Sequence, residues 1–169
     1  GAEGNDLLSG GAGNDTFIFN TYTTNGLDRI TLSTTTALGV TTIDDKLNFA
    51  VDVFINEPTV KIVKVTESDI TAATASDTGQ NGTNVLILQA AYYPDATTLA
   101  AATTTFDGVF NADGKALVIY ASSSTTDARI AYATITDAGD ISAATDVAVL
   151  VGMTVANAAS YFAIGNFIL

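Results

Sequence analysis

Asp6 and Asp15 stand nine residues apart, each closing a glycine-rich run: Gly1-Ala2-Glu3-Gly4-Asn5-Asp6 and Gly10-Gly11-Ala12-Gly13-Asn14-Asp15. Laid over one another, the two units share Gly at positions one and four, Asn at five, Asp at six and a large apolar residue, Leu8 or Phe17, at eight. The chemistry open to such a unit is cation binding by oxygen. Glycines admit the positive φ angles of a tight, open turn whose carbonyls point inward, and the carboxylate adds the hard ligand that calcium prefers. The apolar residue at position eight belongs to a short strand and faces the interior, because strand side chains alternate. Gly-Asn-Asp clusters are also ordinary turn formers, so two metal-free turns are the competing reading.

The unit resembles the G-G-x-G-x-D-x-U-x nonapeptide of the RTX family of calcium-binding parallel β-rolls. Ala2 departs from the second Gly of the pattern, which restricts that turn without removing a carbonyl. The resemblance implies that turns stacked on one side of a roll share calcium between units n and n+2. Its candidate ligands here are Gly1, Glu3, Gly4, Asp6, Gly10, Gly11, Ala12, Gly13 and Asp15. A third unit at strict spacing would put its Asp where Thr24 stands, so the regular array has ended. Four residues later Gly26-Leu27-Asp28-Arg29-Ile30 repeats the Gly-x-Asp-x-apolar core. A longer turn over residues 20–25 would bring Asp28 over Asp6 and complete one calcium site with Gly26. Asn25-Gly26 is equally a hairpin signal. Asp15, on the opposite side, is expected to need a partner from a preceding repeat. A chain opening at Gly1 inside the array, with no initiator Met, reads as the C-terminal part of a longer protein.

The surrounding composition narrows the function. Of 169 residues 18 are Asp or Glu and 6 Lys or Arg, a net charge of −12. There is no His and no Cys, which excludes zinc sites of the usual ligands, thiolate nucleophiles, Ser-His-Asp triads and disulfides. No basic patch offers phosphates a partner, so nucleic acid is not expected, and no apolar run has the length of a membrane-spanning helix. No basic stretch followed by an apolar run stands at the first residues, so an export address is expected elsewhere in the chain. The Asp-rich, Lys-poor, Cys-free chain suits an extracellular or cell-surface location. With 47% hydrophobic residues, a packed core is expected.

These sites must be held by strands. Alternating and continuous apolar runs predict strands at 17–20, 29–33, 46–49, 60–65, 85–89, 116–120, 129–135 and 146–150. Val85-Leu86-Ile87-Leu88 reads as a strand buried on both faces. Helices are predicted over 94–104 and 154–161, and hairpin-like turns at Asp113-Gly114 and Ala138-Gly139. The expected fold is mainly β: a short parallel β-roll over 1–33, continuing into a sandwich- or roll-like region over 34–169 with one or two short helices, packed as one unit. Asp44-Asp45-Lys46-Leu47-Asn48-Phe49 resembles the strand that follows the last RTX repeat, which implies a cap over the open roll; a plain surface strand is the alternative. Asn111-Ala112-Asp113-Gly114 has half the pattern of an EF-hand loop but lacks the other ligands and reads as a turn. Asp107, Asp113, Asp127, Asp137 and Asp140 give no support to a glycosidase pair without a fold to join them.

The last residues, Asn166-Phe167-Ile168-Leu169, following Asp146-Val147-Ala148-Val149-Leu150-Val151-Gly152, look like the uncleaved C-terminal export signal of RTX proteins. That likeness implies a type I ABC-transporter machine as a partner; a final strand tucked into the core is the plainer reading. The expectation is therefore a non-enzymatic calcium-binding module that folds on extracellular calcium, belonging to a surface-layer or other structural surface protein. Its partners would be calcium, the secretion machinery and either further copies or a cell-surface glycan. The alternative is the export and folding module of a secreted hydrolase with its catalytic domain upstream.

Overall fold

The computed structural model describes residues 3–21, 26–50, 60–65, 84–101, 114–136 and 140–168. Six short strands precede residue 50: β1 (Leu7–Ser9), β2 (Thr16–Phe19), β3 (Asp28–Thr31), β4 (Thr34–Ala37), β5 (Val40–Ile43) and β6 (Lys46–Phe49). Four of these begin at, or directly after, an aspartate followed two residues on by an apolar side chain: Asp6 with Leu8, Asp15 with Phe17, Asp28 with Ile30, Asp45 with Leu47. Period-two alternation then buries one face. Phe17 and Phe19 are inside while Thr16 and Ile18 are exposed, and Leu47 and Phe49 repeat the pattern in β6. β1 pairs in parallel with β3, setting Leu8 opposite Ile30. β2 pairs in parallel with β6, setting Phe17 opposite Leu47 and stacking Phe19 on Phe49 at 4.8 Å. The chain thus steps back and forth between two sheets. β4 and β5 form a separate hairpin between the third and fourth steps, turning at Leu38 and Gly39, both at positive φ.

The rest of the chain supplies β7 (Ile62–Val65), β8 (Val85–Tyr92), α1 (Ala96–Ala101), β9 (Lys115–Ala121), β10 (Ala128–Ile135), β11 (Ile141–Leu150), α2 (Val155–Tyr161), a single 3-10 turn (Ile164–Asn166) and β12 (Phe167–Ile168). The fold is mainly β, with one sheet ordered β1-β3-β11-β10-β9-β8-β7 and a second ordered β12-β6-β2. β11 lies in parallel against β3, and β12 in parallel against β6. Residues 1–33 and 34–169 therefore share both sheets. One core fills the space between the sheets, with α2 closing it through Val155, Ala158 and Ala159; a second lies on the outer face of the large sheet under Leu99 of α1. The run 85–88 serves both. Val85 and Ile87 point into the first core, Leu86 and Leu88 into the second, and all four are fully buried.

The predicted strands are present, with β8 extended to Tyr92 and β11 begun five residues early at Ile141. The predicted helix at 94–104 is observed over Ala96–Ala101, started by Asp95, whose Oδ1 accepts from the Thr98 N–H and hydroxyl. Those bonds hold the Asp95 carboxyl below its usual range. Residues 102–104, Asn111 to Asp113, and Ala138-Gly139 lie outside the described residues. β8 and β9 pair in parallel; Asp113 of the turn expected at Asp113-Gly114 lies outside the described residues. On the outer face Asp146 accepts from the Tyr120 hydroxyl at 2.6 Å and from Arg129 at 2.8 Å. Burial and the Asp146 hydrogen bond push the Tyr120 hydroxyl well above its usual range. Burial disfavours the Arg129 charge, but the Asp146 carboxylate outweighs it and the guanidinium is held more firmly protonated.

Candidate metal centre

The turn before β1 and the turn before β3 are stacked. Asp28 Oδ1 accepts from the Asp6 N–H at 3.0 Å, Asn5 Oδ1 accepts from the Leu27 N–H at 2.8 Å, and the Asp6 carbonyl accepts from the Arg29 N–H at 2.8 Å. The pairing of Asp28 with Asp6 expected from the sequence is therefore present as a contact between turns. Gly26 is required here on two counts. Its φ is +72°, and a Cβ would come within 2.6 Å of the Gly4 carbonyl, so no other residue lets the upper turn lie this close to the lower. Asn25 lies outside the described residues.

The opposite side repeats the arrangement with a residue that the nine-residue period did not single out as a ligand. Asp45 Oδ1 accepts from the Asp15 N–H at 2.9 Å, and the Asp15 carbonyl accepts from the Lys46 N–H at 2.8 Å. Asp45 stands to Asp15 as Asp28 stands to Asp6. Where the sequence pointed to a preceding repeat for a partner of Asp15, the structure gives it a hydrogen-bond partner that follows it in the chain. The signal was the Asp-x-apolar triplet, repeated at Asp6, Asp15, Asp28 and Asp45 with spacings of nine, thirteen and seventeen residues. Ser33 adds a feature that the first side lacks. Its N–H donates to Asp45 Oδ2 at 2.7 Å, and its hydroxyl lies 2.8 Å from Asp45 Oδ1 and 2.9 Å from the Gly13 carbonyl, either of which can accept its one proton.

Asp28 and Asp45 are buried, at 1% and 0% exposure, so their backbone donors are what make burial tolerable. Asp6 and Asp15 differ. Each keeps one carboxylate oxygen, Oδ2, out of water and without a hydrogen-bond partner. Buried polar atoms are nearly always satisfied, and a carboxylate oxygen without a partner is a donor that a hard cation could take. The oxygen-only donor set suits calcium and not a thiolate- or imidazole-seeking metal. Gly4, Gly11 and Gly13 hold positive φ, the open-turn geometry expected of them. Gly10 has the Asp15 side chain directly over it, and a Cβ there would collide with that carboxylate. Glu3 and Ala12 are exposed in the same turns, and Gly1 lies outside the described residues. Among the described residues no three acidic side chains cluster, so a cation here would draw mainly on carbonyls.

Of the acids weighed for glycoside hydrolysis, the two that are described form no pair. Asp127 and Asp140 sit at opposite ends of β10, and Asp107, Asp113 and Asp137 lie outside the described residues. The C-terminal segment meets the second stack. Asn166, 7% exposed, donates through Nδ2 to the carbonyls of Ile43 and Asp45, both at 2.9 Å, and accepts from the Ala163 N–H. Among the described residues no helix is long and apolar enough to cross a membrane. No protein-family model matches this chain, and neither the curated proteins nor the solved structures searched contain a significant match.

Proposed function

We propose that the chain is an extracellular calcium-binding module whose stacked turns form the end of an RTX-like β-roll and fold when calcium is present. The observation that carries this is the pair of buried, unpartnered oxygens on Asp6 and Asp15, each in a glycine turn that stacks on a second Asp-bearing turn. Asp6, Asp28 and the carbonyls of the Gly4 and Gly26 turns would hold one ion, whose contribution is to neutralise carboxylates that otherwise repel. Because the unfolded chain has no such site, binding free energy would become folding free energy. Extracellular modules of this kind work at roughly 10⁻⁴ to 10⁻³ M calcium.

A place in a surface-layer or other cell-surface structural protein fits the acidic, Cys-free, Thr-rich composition. Export through a type I machine would read the C-terminal segment while unfolded, before β12 joins β6. Calorimetric titration with calcium, and circular dichroism melting with and without chelator, test the folding claim. The expected result is saturable binding, with a rise in melting temperature corresponding to about 2.7 kcal/mol at a hundredfold excess over Kd. Asp28→Ala is expected to remove one bound ion. Equal melting with and without chelator, or an unchanged ion count in Asp28→Ala, refutes the proposal.

A further inference from the structure

On the outer face of the large sheet, strand register places Tyr120, Arg129, Val149, Arg29 and Leu7 in one row across β9, β10, β11, β3 and β1. The chain's two arginines are thus separated by a single strand on one face of a protein of net charge −12, about 9–10 Å apart at Cα. Between and beside them opens a cleft of about 370 Å³, floored by Val149 and rimmed by Ser122, Thr126 and Asp127. That volume falls in the range of small-ligand sites. The rim is built in advance: Thr126 Oγ1 accepts from the Ser123 N–H at 3.1 Å, and Asp127 Oδ1 accepts from the Gly152 N–H at 2.9 Å.

The two guanidiniums are differently engaged. Arg129 is committed to Asp146 at 2.8 Å and its side chain is 30% exposed. Arg29 is 52% exposed and reaches Asp127 only at 3.4 Å, a contact worth little in water. An arginine has five N–H donors in a planar fork that matches a carboxylate in bidentate fashion, so most of the Arg29 fork is available. Around it stand the Ser122 and Thr126 hydroxyls and the Asp127 carboxylate; the carboxylate accepts from the hydroxyls of a sugar ring and repels a bare anion.

We propose that the cleft between Arg29 and Arg129 binds an acidic sugar unit, its carboxylate on Arg29 and its hydroxyls on Asp127, Ser122 and Thr126. This does not rest on the calcium reading, and the test is made on the full chain in saturating calcium so that folding is held constant. Amide NMR titrations with glucuronate, glucose and sulfate are the measurement. Glucuronate is expected to give saturable shifts at Asp127 and Gly152, with glucose and sulfate each much weaker. Arg29→Gln should weaken glucuronate by at least about tenfold, the loss of one charge-assisted bond. Asp127→Asn keeps an oxygen for the Gly152 N–H but gives up the charged acceptor that repels a bare anion, so it should narrow the preference for glucuronate over sulfate. No saturable shift with glucuronate into the tens of millimolar overturns the proposal. So does glucose or sulfate binding as well as glucuronate, an Arg29→Gln protein that binds like the parent, or an unchanged preference for glucuronate over sulfate in Asp127→Asn.

Discussion

The stacked-turn half, β1 to β3 with β6, and the half around β8, β9 and β10 are both β-structure, but different forces hold them. In the second, continuous apolar strands bury both faces, and cohesion comes from side-chain packing along long paired strands. In the first, strands of three or four residues contribute one or two core side chains each. What joins their turns is a carboxylate of one accepting the backbone N–H of the next. Packing needs no cation, whereas on the calcium reading proposed above the turns lined with buried carboxylate oxygens would depend on one. On that reading one small fold carries an unconditional half and a conditional half.

Three measurements bear on that difference. The largest effect is expected from Ile130→Ala, in the middle of β10 and fully buried, which should cost about 2–5 kcal/mol by cavity formation. Denaturant melts should show the same increment from calcium in this variant as in the parent; a lost increment would mean the two halves are not separable. Asp45→Ala comes next. It strands the Asp15 and Ser33 N–H groups and leaves the Ser33 hydroxyl only the Gly13 carbonyl, at about 3 kcal/mol. Ser33 bonds Asp45 but leaves Asp15 Oδ2 without a partner, so the loss should be larger at high calcium than at low, as for Asp28→Ala; an equal loss at both would remove this stack from the calcium site. The smallest effect belongs to the outer face. The Tyr120 hydroxyl is held above its usual value near 10 in the folded chain, so its contribution is intact below pH 10 and is lost as pH rises beyond it. Tyr120→Phe should flatten that alkaline decline at a cost of about 1 kcal/mol at neutral pH; an unchanged alkaline profile would remove Tyr120 as its cause.

Strand positions were legible because their signal is local. Val85-Leu86-Ile87-Leu88 and Lys46-Leu47-Asn48-Phe49 show their burial in their own order of side chains. The Asp6–Asp28 contact was also legible, since Gly26-Leu27-Asp28 repeats enough of the glycine turn to be aligned with the first. Asp45 was not singled out as the partner of Asp15. Its turn has no glycine, and the chain between it and Asp28 contains an entire hairpin. That hairpin was itself invisible, because β4 and β5 are threonine-rich, bury little and turn on Leu38-Gly39, with neither Asn nor Asp to mark the bend. The arginine row was hidden for another reason: Arg29 and Arg129 are brought together by a register between strands that no local pattern encodes.

Each sheet is completed by a strand from far along the chain. Asp28 faces Ala148 and Leu47 faces Phe167, two pairings that each span 120 positions. Closing so long a loop must be achieved before either contact gives anything back, and topologies rich in such pairings fold slowly. The two short rungs built on Asp6 and Asp15 therefore have no finished sheet to rest on until β11 and β12 arrive. By this topological argument the protein's maturation is expected to be paced by its last strands, however quickly its first turns can bend.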